Sequence, residues 1–209
     1  HEFIRGKKFL ELLSIKYRKF FNNYPAISLK KKNLYKKKYK KYKNIIFLGL
    51  DAAEEFRTWR IENFVKLVSL IMNEYKNSFF FLISYNKNKE KVHKIENLLR
   101  KKFKKKNSLS LIKDDMSKIK YYLSISHLFI GNDSGPANLA GCLGTKAFCL
   151  YGGTAPPPDT KINPIFPKSK KKRYTRSEFI VQEYQKKNSF MNLIYPKDVY
   201  NKVKKNLKK

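Results

Sequence analysis

One segment of this chain carries the residue types that a ligand-binding strand end requires. Ile130-Gly131-Asn132-Asp133-Ser134-Gly135-Pro136-Ala137-Asn138-Leu139-Ala140-Gly141 runs from an apolar stretch into an Asp-Ser-Gly turn. Pro136 then stands where the first helical residues would be, a place that tolerates proline because those amides lack intrahelical partners. Ser134 or Asp133 can cap such a helix, and Gly135 allows close approach to the backbone. The unpaired amides and the positive end of the dipole suit a phosphate. Asp133 suits sugar hydroxyls, to which a carboxylate offers acceptors only. The plain alternative is an ordinary capped turn between a strand and a helix.

Two further loops could complete a cleft. Tyr151-Gly152-Gly153-Thr154-Ala155-Pro156-Pro157-Pro158 offers glycines for close approach at Gly153 and a hydroxyl at Thr154. It lacks the lysine of a phosphate-binding P-loop, and no GxGxxG fingerprint is present. Asp51-Ala52-Ala53-Glu54-Glu55-Phe56-Arg57-Thr58-Trp59-Arg60 holds the single tryptophan and two of the seven arginines. Arg57 there could fork onto a diphosphate. Equally, Trp59 could pack the loop onto a sheet while Arg57 stays in solvent.

Other chemistries find no support. His1, His93 and His127 do not cluster, and His127 at a strand start reads as structural. No metal-ligand spacing, Gly-x-Ser-x-Gly elbow or catalytic triad is present. Cys142 and Cys149 cannot build a disulfide scaffold, and their apolar surroundings suggest small core residues in a reducing compartment.

The elements around these loops alternate. Short apolar runs at 45–50, 79–83, 109–112, 127–131 and 147–151 read as buried strands. Helical periodicity covers 61–75, 88–103, 116–125, 136–143 and roughly 196–207. This order predicts an α/β fold with a doubly wound, Rossmann-like parallel sheet and ligands at the carboxyl ends of its strands. The Pro- and Lys-rich stretch 155–176 breaks the rhythm. Upstream, 4–21 reads as an amphipathic helix, and 30–43 holds nine lysines without an apolar period, a solvated linker or exposed helix. Residues 1–43 are therefore expected to be an appendage of one α/β domain at 44–209.

The 209 residues carry 48 Lys and Arg against 16 Asp and Glu, a net charge of +32. Such a surface attracts nucleic acid, phosphorylated sugars or acidic headgroups. The excess is almost all lysine, however, whereas bidentate phosphate and base recognition favours arginine. The basic runs at 101–106 and 168–173 lack the interleaved aromatics of a single-strand binder. No signal peptide or membrane-length apolar run is visible.

Three segments, taken together and in order, resemble glycosyltransferase family 9, the lipopolysaccharide heptosyltransferases. The family's Asp-[Ser/Thr]-Gly-x-x-His-x-Ala signature is similar to Asp133 through Ala140. Its Phe-Gly-x-Thr-x-Pro turn is similar to Tyr151 through Pro156, and its Gly-Ala-Ser-x-x-x-Lys-x-Trp loop to Asp51 through Trp59. The likeness covers roughly 44–207 and implies the C-terminal, donor-binding half of a GT-B transferase, with 1–43 as the remnant of an N-terminal domain, a helix followed by the Lys-rich interdomain linker. It implies Arg57 in the place of a phosphate-binding lysine. Asp133, Ser134 and Gly135, with Asn138, Gly153 and Thr154, would hold a nucleotide-diphosphate sugar, ADP-heptose-like. Asn138 replaces the usual histidine and Ala53 a small hydroxyl residue, which thins the donor contacts.

The resemblance implies no metal and no cofactor beyond the nucleotide-sugar substrate. It further implies a lipopolysaccharide-core or other glycolipid acceptor and a bacterial cytoplasmic enzyme, peripheral at the anionic inner membrane. No catalytic residue is expected in this chain. Asp51, Glu54, Glu55 and Asp133 all lie on the donor side, so the base is expected on an N-terminal domain. The chain begins at His1, and the expectation is either a fragment or the product of a truncated gene. The alternatives are a basic nucleic-acid-binding module, which low arginine and the cleft signature argue against, and a degenerate pseudo-transferase.

Overall fold

The computed structural model describes residues 27–84, 89–103, 108–112, 116–152, 156, 161–168 and 190–209. The expected helix at 4–21 and the candidates Gly153 and Thr154 lie outside the described residues. Among the described residues, six strands form one parallel sheet: β1 (Asn44–Gly49), β2 (Ser78–Ile83), β3 (Leu109–Leu111), β4 (Leu128–Asn132), β5 (Lys146–Leu150) and β6 (Ile162–Ile165). Their order across the sheet is β3-β2-β1-β4-β5-β6. The winding reverses between β1 and β4, and open sheets of this kind bind ligands at the carboxyl ends beside that reversal.

The apolar runs form strands because both faces of the sheet are covered. Ile46 and Leu48 enter one core with helices α2 (Ile61–Glu74), α3 (Lys89–Phe103) and α6 (Pro196–Val203). Ile45 and Phe47 enter the other with α1 (Leu29–Tyr39), α4 (Met116–Ile125) and α5 (Gly135–Cys142). Continuous apolar strands, without polar alternation, are what a sheet buried on both sides selects.

At the strand ends the register sets Gly49 of β1 opposite Gly131 of β4. A Cβ on Gly131 would lie 2.7 Å from the Gly49 carbonyl oxygen and 2.8 Å from Phe129 Cζ. Glycine is thus required by packing under the turn that follows. The Phe129 ring also lies 5.9 Å from that of Phe47, tying the two central strands together.

Three features differ from the sequence reading. The stretch 155–176 contains an unforeseen sixth strand, β6, whose Pro164 is tolerated because β6 is an edge strand. Of the two readings of the Lys-rich segment the helix holds, but one of its faces is docked on the domain. Ser28 caps α1 by accepting the Lys31 amide at 3.4 Å. Tyr35 stacks on Tyr121 at 5.5 Å, and Tyr39 meets Phe79 and Phe81 at 4.9 and 4.8 Å. Tyrosines four apart share a helix face, so α1 docks through aromatics while its lysines point outward. Finally, Cys149 is buried as expected, but Cys142 at the end of α5 is exposed.

The last helix ends at Val203 and continues as a single 3₁₀ turn, Lys204–Asn206. The tail beyond it pairs with the start of β1. Asn44 Nδ2 donates to the Lys208 carbonyl and its Oδ1 accepts the Lys208 amide, both at 2.8 Å.

Candidate functional site

The loop after β1 is folded back on itself by its own polar groups. Thr58 Oγ1 donates to the Glu54 carbonyl at 3.2 Å and accepts the Ala52 amide at 3.3 Å. Ser84, just past β2, donates its hydroxyl to the Asp51 carboxylate. Glu55–Arg57 forms a 3₁₀ turn, and Trp59 closes the loop by burying its whole side chain. The indole packs edge-on against Phe64 at 4.9 Å and donates Nε1–H to the Ile194 carbonyl at 2.9 Å. Of the reading in which Trp59 packs the loop while Arg57 stays in solvent, the tryptophan half holds and the arginine half does not.

Arg57 faces the turn after β4. Its Nη1 donates to Asp133 Oδ2 at 3.1 Å, and Nη2 binds the Glu54 carboxylate. The Arg57 and Asp133 side chains retain only 15% and 17% exposure. Arg57 Nε is buried and finds no hydrogen-bond partner among the described residues. A guanidinium held by two carboxylates has its fork occupied, so an incoming diphosphate would have to exchange with them. Asp133, expected as a helix cap or as an acceptor for sugar hydroxyls, holds the arginine in this structure.

The turn itself is built on a buried amide. Asn132, fully buried at the end of β4, accepts the Trp59 amide on Oδ1 at 2.9 Å. Its Nδ2 donates to the Leu50 carbonyl at 2.9 Å and, more distantly, to Gly49 at 3.5 Å. This residue is absent from the sequence-based candidates. A polar side chain closing an otherwise apolar strand was the available signal.

Ser134 takes the N-cap position of α5 in extended backbone, but its hydroxyl donates to the Asn132 carbonyl at 3.1 Å and caps nothing. The Ser134 carbonyl accepts the amides of Ala137 and Asn138 at 3.1 and 3.3 Å, which starts the helix. Among the described residues a Cβ on Gly135 would meet nothing within 4 Å beyond its own turn of chain, so they leave the start of the helix open. Asn138 sits one turn into α5 and is exposed.

β5 lies beside β4, and its end brings Tyr151 and Gly152 to the same edge. Gly152 is pressed against Met191 of the 3₁₀ turn Phe190–Leu193, whose backbone nitrogen would lie 2.6 Å from a Cβ there. Burial, together with the Cys149 thiol and the Asp133 carboxylate, pushes the Tyr151 hydroxyl pKa up. The Cys149 thiol is likewise pushed up, mainly by burial, and is a core group. The structure thus brings together Arg57, Asp133, Ser134 and Gly135, with Asn138 one turn below.

His127 lies at the opposite, amino-terminal edge of β4. Its Nδ1 accepts the Ile45 amide at 3.0 Å, which makes it structural, as the sequence suggested. Among the described residues no helix is long and apolar enough to cross a membrane.

The family model for glycosyltransferase family 9 (heptosyltransferase) matches residues 13–193. No curated protein sequence matches. Among solved structures the chain is similar to a family 9 glycosyl transferase from Veillonella parvula, at 12% identity and TM-score 0.65, covering 95% of this chain and 57% of that one. It is similar to the E. coli ADP-heptose lps heptosyltransferase II at 13% identity and TM-score 0.61, covering 87% and 52%. It is also similar to the E. coli heptosyltransferase WaaC with ADP, at 11% identity and TM-score 0.56, covering 96% and 54%. The chain therefore spans little more than half the length of these structures, and at such identity the likeness is one of fold.

Proposed function

The chain belongs to glycosyltransferase family 9, the heptosyltransferase family, and from that membership we propose that it forms the nucleotide-sugar-binding part of a sugar transferase. The observation that carries this reading is the meeting of Arg57 and Asp133 at 3.1 Å beside the reversal of the sheet. A cation, an open helix start at Gly135 and a carboxylate form one edge there, and a diphosphate linked to a sugar needs those three groups.

In this reading the guanidinium of Arg57 turns from Glu54 and Asp133 to the diphosphate. The amides opening α5 share the charge, and the Asp133 carboxylate, once released, accepts from sugar hydroxyls. Stabilising the charge that develops on the departing nucleotide diphosphate is then this chain's part in catalysis. The donor is an ADP-heptose-like nucleotide sugar and the acceptor a lipopolysaccharide-type glycolipid. The base that deprotonates the acceptor belongs to a second domain facing this cleft. The lysine-rich surface suits work beside anionic lipid, each near-surface basic residue contributing at most about 1 kcal/mol.

Comparing two ligands on the Asp133→Ala variant tests the assignment. Isothermal titration should show affinity for the ADP-sugar falling more than affinity for ADP, because only the sugar nucleotide loses its hydroxyl contacts. Equal losses for both ligands would remove the sugar-reading role of Asp133.

A further inference from the structure

We infer that Asn132 is the positioning residue for the donor site: its amide fixes the loop that carries Arg57, and it acts on nucleotide binding only through that arginine. The inference rests on the donor-binding reading above and adds to it the residue that sets its geometry.

Three observations carry it. Asn132 is fully buried, in a strand whose other residues are Leu, Phe, Ile and Gly. A polar side chain is retained in such a place only when its hydrogen bonds are met. The bonds of its side-chain amide all run to one short stretch of chain, since it accepts from Trp59 and donates to Leu50 and Gly49. Those residues bracket the loop 51–58, which holds Arg57. Asn132 also directly precedes Asp133, the partner that Arg57 meets across the cleft. One amide therefore ties together the two strand ends that flank the reversal of the sheet.

The chemistry selects asparagine. The position must offer an acceptor to the Trp59 N–H and a donor to the Leu50 C=O, on a stem short enough to stay in the strand. Aspartate of the same shape would set a second acceptor against the Leu50 carbonyl. Alanine would leave both backbone groups buried and unpaired. In either case the loop loses its anchor at both ends, and the Arg57 fork loses its fixed direction.

The experiment combines variants of the full chain with two readouts. The first is ADP affinity by isothermal titration for Asn132→Ala, Arg57→Ala and the double variant. Asn132→Ala should weaken ADP about tenfold, the scale of one impaired charge-assisted contact. On the Arg57→Ala background the same change should cost less than about twofold, because residues acting through one contact are not additive. A purely structural role would lower the unfolding midpoint and leave ADP affinity unchanged. A direct ligand contact would give the same loss on both backgrounds. Either result overturns the inference.

The second readout is acrylamide quenching of Trp59, the single tryptophan, and needs no ligand. It should rise in Asn132→Ala and in Asn132→Asp as the loop loosens, and unchanged quenching in both overturns the inference. If the unmodified chain binds no ADP, the donor-site reading fails, while quenching still decides whether Asn132 holds the loop. Should Asn132→Ala fail to fold, Asn132→Ser, which removes less and keeps a hydroxyl, is carried through the same measurements.

Discussion

At the scale of single residues, the proposed donor site turns on one guanidinium shared by two carboxylates. The Arg57 guanidinium is held by Glu54 and Asp133, so removing either end should alter the other. Arg57→Ala deletes a charge-assisted contact of about 1.5–3 kcal/mol and should weaken ADP roughly ten- to a hundredfold. Glu54→Gln removes one competitor for the fork and should leave ADP binding unchanged or tighter, as isothermal titration would register. A loss as large as that of Arg57→Ala would mean that Glu54 orients the arginine for binding and does not compete for it.

His127 supplies a pH dependence of stability. Burial, with Lys208 and Lys36 nearby, holds its pKa below the ordinary value. A proton on Nδ1 would face the Ile45 N–H that this atom accepts. The unfolded chain therefore binds the proton more readily, and stability rises with pH wherever that is so. The contribution is fully present above the unfolded value of about 6.5 and declines as pH falls through the lower folded value. Urea midpoints at pH 7 and pH 5 should differ less in His127→Gln than in the unmodified chain. An unchanged difference would assign the effect to other groups.

Among the elements, the ends of strands matter more than their middles. Two glycines a few residues apart separate packing from function. Gly131→Ala would push a methyl to 2.7 Å from a backbone oxygen, and such overpacking costs about 1–3 kcal/mol or more. Gly135→Ala meets nothing among the described residues, so stability should stay within about 0.5 kcal/mol. Yet its methyl would enter the space before α5 and should weaken ADP. Urea unfolding and titration on the two variants check both halves, and a Gly135→Ala variant with unimpaired ADP binding would place the ligand elsewhere.

The elements also show what was legible in the sequence. Runs such as Phe79 through Ile83 announced buried strands because a parallel sheet covered on both faces demands unbroken apolar residues. The Asp133 turn and the Arg57 loop announced themselves through residue types that a plain turn does not need. Three things stayed hidden because their causes are tertiary. β6 carries Pro164, which reads as a breaker until the strand is known to lie at an edge. α1 has too weak an apolar period to notice, since Tyr35 and Tyr39 do the docking. Asn132 became significant only once the Trp59 amide and the Leu50 carbonyl were found on either side of it. Tyr39→Ala tests the second point. With Tyr39 only 7% exposed, the loss should be on the order of 3 kcal/mol in urea unfolding, near that of other buried aromatics. A negligible loss would return α1 to the status of a tether.

For the whole molecule, the question is which anion the charge of +32 serves. A nucleic-acid module would bind through many phosphates, and its log affinity would fall steeply with log salt concentration. A nucleotide-sugar site uses one arginine and a helix start, and its salt dependence is shallow. The decisive measurement is titration of the full chain with ADP at low and at physiological salt, beside Arg57→Ala. The account predicts saturable one-to-one binding that changes little between the two salts and is roughly ten- to a hundredfold weaker in the variant. Absence of saturable binding, or equal binding by Arg57→Ala, would contradict it.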